Sequence, residues 1–203
     1  MNRKAIIISI SGLKLTSSEK KLFKHPCPWG VILFKRNIKN LNQLKKLILS
    51  IRNITKDKNY PIMVDEEGGQ VSRLQNIIDN KLFSQRFFGK LYEENKTIGT
   101  RLYKNYLFKI CETLNLLGLN INTIPVMDKL NSKTHKFLIN RVYSKNENTI
   151  KNLANLCIKT NNKYKIASVI KHIPGHGLAN SDSHKKLPVI NKNLHFLLKN
   201  DFK

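Results

Sequence analysis

Three scarcities in this sequence each argue against a class of protein. Cysteine occurs only at Cys27, Cys111 and Cys157. This odd, widely spaced set without a CxxC indicates neither a disulfide framework nor a thiolate metal site. No apolar run approaches the roughly 18 residues that span a bilayer. The apolar run 5–10 is short and no small-residue cleavage pattern follows it, so we expect a cytoplasmic protein without a membrane partner.

Acidic residues are scarce as well, since 13 Asp and Glu stand against 37 Lys and Arg and leave a net charge of +24. Such an excess can mark a nucleic-acid binder. Here it is nearly all lysine, it is spread along the whole chain, and no basic segment with interleaved aromatics concentrates it. We therefore expect no specific nucleic-acid partner, although charge alone predicts non-specific adhesion to polyanions at low salt.

Short apolar runs that alternate with helical patterns dominate the 203 residues, which most simply form one domain. Strands are predicted at residues 5–10, 30–34, 61–64, 120–127 and 166–170. Helices are predicted after Thr16 and Asn40 and over about 97–117, 148–161 and 193–198. Strands of this kind that alternate with helices predict an α/β fold with a parallel sheet.

Two α/β architectures remain, a (βα)8 TIM barrel and an open doubly wound sheet. The phosphate-loop motifs of the open forms, GxGxxG and GxxxxGK[ST], are absent. Polar residues follow the third, fourth and fifth strands, where a barrel places its chemistry. We favour the barrel, of which only about the first five βα units can be counted, whereas a complete barrel has eight in about 250 residues.

The densest group of chemical side chains follows the fifth strand, in residues 171–177 (KHIPGHG) and 182–184 (DSH). A buried strand that runs into such a loop is typical of an α/β active site, and a solvated histidine-rich loop is the alternative. His184 is the candidate for proton transfer, because imidazole titrates near neutral pH, and Asp182 could orient it. Lys171 and His172 start on opposite faces of a strand and share a site only if the chain has begun to turn.

A metal site is the other use of this loop, and its ligands would be His172, His176, Asp182 and His184. Their spacing matches no helical HxxxH pair, so we expect no metal.

Three charged residues elsewhere are further candidates. Asp65 ends the third strand and could accept hydrogen bonds from paired hydroxyls of a sugar, or else serve as a turn residue. Arg73 could donate to the same ligand. Arg141 is one of few arginines in a lysine-rich chain, which favours a role for its planar fork, although a surface position is the default.

These motifs resemble one family. Residues 30–37 (GVILFKRN), 64–74 (VDEEGGQVSRL), 171–177 and 182–184 look like the bacterial β-N-acetylhexosaminidases of glycoside hydrolase family 3. Those enzymes remove N-acetylglucosamine from cell-wall fragments during peptidoglycan recycling. The similarity runs in order over about residues 5–188, and the DSH is specific to this branch.

The resemblance implies a retaining mechanism, no cofactor and a small glycan substrate, an N-acetylglucosaminyl muropeptide in the cytoplasm. It implies that residues 1–203 are the N-terminal part of a single TIM-barrel catalytic domain. His184 would be the general acid/base, in place of the customary carboxylic acid, with Asp182 as its partner. The implied substrate-binding residues are Asp65, Arg73, Arg141, Lys171 and His172.

The chain departs from the family pattern at Glu66, usually glutamine, and at Gln70, usually arginine. The family's nucleophile is an aspartate on a strand well beyond the DSH, and Asp201 is not a credible substitute. Retaining hydrolysis needs that carboxylate about 5 Å from the acid/base. We therefore expect little or no turnover from these 203 residues alone. The chain is then a fragment of a hexosaminidase or a non-catalytic sugar-binding remnant, and the motif order disfavours an unrelated metal-dependent or basic binding protein.

Overall fold

A computed structural model describes residues 3–132, 134–173, 175–179, 181 and 185–200. Within these ranges the strands are β1 Lys4–Ser9, β2 Pro28–Leu33, β3 Ile62–Val64, β4 Ile121–Asn122 and β5 Ala167–Ser168. The α-helices are α1 Ser17–Lys24, α2 Leu41–Thr55, α3 Gln85–Glu94, α4 Lys96–Leu117, α5 Lys136–Ile139, α6 Glu147–Lys163 and α7 Leu194–Asn200. A short 3-10 helix at Lys35–Asn37 follows β2.

The five strands form one sheet in the order β1-β2-β3-β4-β5, and every neighbouring pair is parallel. A doubly wound sheet reverses its strand order at a switch point, whereas successive units of a βα barrel add in one direction. The uninterrupted order is therefore that of a barrel, and the predicted α/β fold with a parallel sheet is confirmed.

Local sequence explains where the first helices begin. The Thr16 hydroxyl accepts from the Glu19 N–H, and the Glu19 carboxylate accepts from the Thr16 N–H, which forms a capping box on α1. The Asn40 side chain caps α2 by accepting from the Gln43 N–H. The apolar face of α2 is buried in the largest core cluster, as its helical spacing predicts.

The fifth strand differs from its prediction as a buried run over 166–170. Regular pairing covers only Ala167–Ser168, Ile166 is buried, and Ile170 is 45% exposed. The prediction of burial is wrong beyond Ile166 because β5 is the last strand of the described sheet. Regular pairing of the fourth strand covers only Ile121–Asn122 of the predicted 120–127, and Pro125, which has no N–H to donate to a ladder, lies between this strand and the isolated bridge at Val126.

Two apolar clusters form most of the core. The larger lies between the sheet, α1, α2 and the C-terminal half of α4, and the smaller joins α3, α4 and α6. Cys27, Cys111 and Cys157 are buried and free. None of the described helices is long and apolar enough to cross a membrane.

Candidate active site

The candidate site lies where the carboxyl ends of three neighbouring strands meet. Asp65 directly follows β3, and Thr123 directly follows β4. Lys171 lies beyond the end of β5, where it pairs with Val126 in an isolated bridge. The Lys171 ammonium forms an ion pair with Asp65 and lies 2.9 Å from the Thr123 hydroxyl oxygen. That hydroxyl donates to Asp65 as well. Parallel strands thus bring together side chains that are far apart in sequence.

The Asp65 carboxylate is held by three donors. Its Oδ1 accepts from Lys171 and Thr123, and Arg73 Nη2 donates to Oδ2 at 2.9 Å. Burial by itself would raise the pKa of Asp65, but Lys171, Thr123 and Arg73 together lower this pKa to about 2. Asp65 is therefore ionised at neutral pH and acts only as a hydrogen-bond acceptor.

A second ion-pair group lies beside the first and is centred on Glu67. Arg141 donates from Nε and Nη2 to the two Glu67 oxygens, at 2.8 and 2.9 Å, and Lys171 Nζ lies 2.5 Å from Glu67 Oε1. The Glu67 side chain is 1% exposed and that of Arg141 is 9% exposed. Burial lowers the pKa of Arg141, but the hydrogen bonds and charge of Glu67 outweigh that effect and raise it, so the guanidinium stays charged.

His172 lies between Arg141 and a third carboxylate, that of Asp128. Its Nδ1 is 2.5 Å from Asp128 Oδ2, and its Nε2 is 3.3 Å from Arg141 Nη2. The His172 side chain is 31% exposed, so the ring is partly accessible to solvent. The other Asp128 oxygen accepts the N–H of His176 at 2.5 Å.

The backbone around these residues is fixed by buried amides and by a glycine turn. The Asn122 side chain accepts the Glu66 N–H and donates to the Glu66 carbonyl. Gln85, at the start of α3, donates to the Arg141 carbonyl at 2.6 Å. Gly68 has φ of +82°, and a Cβ there would lie 2.2 Å from the Phe83 carbonyl oxygen, so this turn requires glycine.

Five of the seven predicted site residues form one contact network in the structure, namely Asp65, Arg73, Arg141, Lys171 and His172. Asp182 and His184 lie outside the described residues. Lys171 and His172 do reach the same site, since Lys171 pairs with Glu67 and His172 contacts Arg141, the other partner of Glu67.

The sequence reasoning assigned no role to three residues of this network, Thr123, Glu67 and Asp128. Asp128 carried a usable signal, since it closes the fourth predicted strand as Asp65 closes the third. Glu67 and Thr123 carried none, because glutamate and threonine are mostly exposed and neither residue closes a predicted strand.

The two departures from the family pattern have different surroundings. Glu66 is 1% exposed, and its side chain accepts from Ser72, Asn80 and the N–H groups of Arg73 and Leu74. Burial raises its pKa despite these hydrogen bonds. Gln70 instead donates to the Phe137 carbonyl at 2.6 Å. Glu66 thus supports the loop that carries Arg73, whereas Gln70 ties this loop to α5.

A metal site is not assembled by the part of the chain that the structure describes. Within it, no three His, Cys, Asp or Glu side chains lie close enough to hold an ion. Of the four ligands considered for such a site, Asp182 and His184 lie outside that part.

Fold and site together define a βα-barrel type of protein with a polar site at the carboxyl ends of its strands. The family model for the glycosyl hydrolase family 3 N-terminal domain matches residues 4–203. The chain belongs to this family.

Curated relatives and a solved structure agree with the family model. The beta-hexosaminidase of Bordetella avium is 30% identical over 97% of this chain and 55% of its own length. That of Thioalkalivibrio sulfidiphilus is 31% identical over 91% and 52%. NagZ from Neisseria gonorrhoeae, solved in complex with N-trifluoroacetyl-D-glucosamine, is 29% identical with a TM-score of 0.87 over 98% of this chain and 58% of that one. The chain spans about half the length of the curated relatives it matches.

Proposed function

We propose that this chain forms the sugar-binding part of a cytoplasmic β-N-acetylhexosaminidase that removes terminal N-acetylglucosamine from peptidoglycan fragments. Its relatives are named beta-hexosaminidase, and the similar NagZ structure holds an N-acylated glucosamine. The observation that carries the proposal is the fixed Asp65 carboxylate. A carboxylate has about four acceptor directions, and the three donors on Asp65 leave one at Oδ2 for a sugar hydroxyl.

The charge balance of the site favours a neutral, hydroxyl-rich ligand. The basic side chains of Arg73, Arg141 and Lys171 each pair with the carboxylate of Asp65 or Glu67. A third carboxylate, that of Asp128, lies against His172. An anion such as phosphate would have to displace these internal pairs. Hydroxyl groups can instead use the remaining acceptor and donor directions of groups that are already oriented.

In the proposed reaction, His184 gives a proton to the leaving oxygen and later takes one from water. Asp182 stabilises the protonated imidazole. A retaining displacement also needs a nucleophilic carboxylate about 5 Å from the acid/base. We assign that role to no residue of the described site, because Asp65 and Glu67 are occupied by cations. The 203 residues then act as the N-terminal part of one catalytic domain.

Calorimetric titration of the 203-residue chain with N-acetylglucosamine tests the binding step. We expect measurable binding, weakened at least about tenfold by Asp65→Asn, because the amide replaces one acceptor oxygen with a donor. The matched control is Asp79→Asn, which removes an exposed aspartate outside the network and leaves affinity unchanged. Equal affinity of the Asp65→Asn variant and the wild type would contradict the proposed sugar site.

A hydrolysis assay with a chromogenic N-acetylglucosaminide tests the catalytic step, on the wild type and on His184→Ala. Binding with little or no turnover is the expected result for these 203 residues. Turnover that His184→Ala abolishes would support the acid/base assignment and overturn the expectation of inactivity. If a folded chain shows no binding and no turnover, the proposed function is refuted.

A further inference from the structure

Asp128 is a fully buried carboxylate with two partners and no assigned part in contacting the sugar. Its side chain is 0% exposed. Oδ1 accepts the backbone N–H of His176, and Oδ2 lies 2.5 Å from Nδ1 of His172. A buried carboxylate can only accept, so the proton of this second contact resides on Nδ1.

The other side of the His172 ring agrees with this protonation state. Nε2 lies 3.3 Å from Nη2 of Arg141, and a guanidinium nitrogen can only donate. A proton on Nε2 would place two donors against each other. The two contacts together therefore fit the tautomer with hydrogen on Nδ1 and a lone pair on Nε2. The ring of His176 is tilted by 66° with its centroid 5.7 Å away, and its nitrogens make no hydrogen bond to His172 among the described residues.

We propose that Asp128 is a positioning residue that fixes His172 in the Nδ1–H tautomer. The consequence of this tautomer for sugar recognition rests on the proposed sugar-binding function. The Nε2 lone pair then accepts from an Arg141 N–H across a long contact of 3.3 Å. A sugar hydroxyl that replaced this contact would donate to Nε2 and accept from Arg141, because a hydroxyl both donates and accepts. Asp128 thus sets the hydrogen-bonding polarity of the site without touching the sugar.

The substitution Asp128→Asn reverses this polarity at nearly constant shape. If the amide oxygen keeps the His176 N–H, the amide nitrogen faces His172 Nδ1 and must donate to it. The proton of His172 then moves to Nε2, where it opposes Arg141. One buried atom therefore determines which nitrogen of a neighbouring ring is protonated.

The tautomer is measurable without any sugar, by long-range nitrogen–proton correlation spectra of the 203-residue chain labelled with nitrogen-15 in histidine, at about pH 8, where imidazole is ordinarily neutral. His172→Gln assigns the signal among the six histidines. We expect a protonated Nδ1 and an unprotonated Nε2 in the wild type. An Nε2–H tautomer or an imidazolium there would overturn the proposal, whether or not sugar binds.

The variant then links the tautomer to recognition. In Asp128→Asn we expect the Nε2–H form and at least about tenfold weaker binding of N-acetylglucosamine. Asp57→Asn is the matched control, because Asp57 pairs with Arg3 near the amino ends of the strands. It should change neither the tautomer of His172 nor the affinity for N-acetylglucosamine. A changed tautomer with unchanged affinity would refute the recognition step. Absence of sugar binding by a wild type with the expected tautomer would refute the proposed function alone.

Discussion

At the scale of single residues, Glu66 has the least obvious role in this site. It neighbours Asp65, yet its side chain is buried and accepts from a hydroxyl, an amide and two backbone N–H groups. The Oδ1 of Asn80 is buried without a partner among the described residues. Rotation of the Asn80 amide would place that oxygen against a glutamine N–H at position 66. The pocket can therefore accept the glutamine that is usual in the family.

Glu66 predicts a pH dependence of folding stability. Burial raises its pKa above the ordinary value of 4.5, so the folded state disfavours the ionised form. The contribution of this carboxyl is fully present below pH 4.5 and is lost as the pH rises through the folded pKa. We expect the stability of Glu66→Gln relative to wild type to increase from about pH 4 to pH 7 in urea unfolding.

A second variant separates charge from hydrogen bonding at this position. Glu66→Ala leaves the donors of Ser72, Arg73 and Leu74 unpaired and should cost about 3 kcal/mol of unfolding free energy at pH 7. The contribution of Asp65 to folding stability depends on pH in the opposite direction, because its pKa is lowered and the contribution is lost as pH falls from 3.8 toward 2. Wild type and variants share this contribution, so it cancels from their difference. A stability difference between Glu66→Gln and wild type that stays constant with pH would contradict the assignment to Glu66.

At the scale of elements, α3 links the site to the outer helices. Gly89 of α3 packs against the backbone of Tyr143, and a Cβ there would lie 1.9 Å from the Tyr143 carbonyl oxygen. Arg86, one turn earlier, donates to the same oxygen at 2.8 Å. Tyr143 is fully buried, and its hydroxyl lies 2.6 Å from that of Tyr103 on α4. The contact therefore has no room to relax.

We expect Gly89→Ala to lower the free energy of unfolding by about 2 kcal/mol in a urea titration. Alanine favours a helix by about 1 kcal/mol over glycine, but α3 must move away from a rigid backbone carbonyl, which costs about 3 kcal/mol. Gly12→Ala is the matched control, since a Cβ there meets nothing within 4 Å. A stabilised Gly89→Ala variant would show that helix propensity outweighs this packing.

Elements were predictable where a local pattern determines them. The capped, amphipathic α2 follows from Asn40 and its apolar spacing. The helix α3 was missed although Ser84 caps it and its buried positions Gln85, Phe88, Gly89 and Tyr92 have helical spacing. The exposure of β5 could not be predicted, because burial of a strand depends on its neighbours in the sheet rather than on its own apolar residues.

At the scale of the whole molecule, strand order and site location followed from the sequence, whereas the pairing of charges did not. Polar residues after strands three to five placed Asp65 and Lys171 at one edge, because parallel strands end together. Two contacts join residues that lie 44 or more positions apart in the sequence, namely that of Glu67 with Arg141 and that of Asp128 with His172. No local pattern contains such contacts.

The net charge of +24 predicts different salt dependences for the binding of DNA and of N-acetylglucosamine by this chain. Spread lysines attract any polyanion by releasing its counterions, so affinity for a DNA duplex should fall at least about 100-fold between about 50 and 200 mM salt. Two duplexes of unrelated sequence should bind equally within about threefold, as measured by fluorescence anisotropy. N-acetylglucosamine is neutral and meets side chains that are already paired, so its affinity should change less than about threefold over the same range. A duplex that binds selectively at the higher salt would instead indicate a specific nucleic-acid site. A steep salt dependence of sugar binding would show that the ion pairs around Asp65 and Glu67 are open to solvent ions.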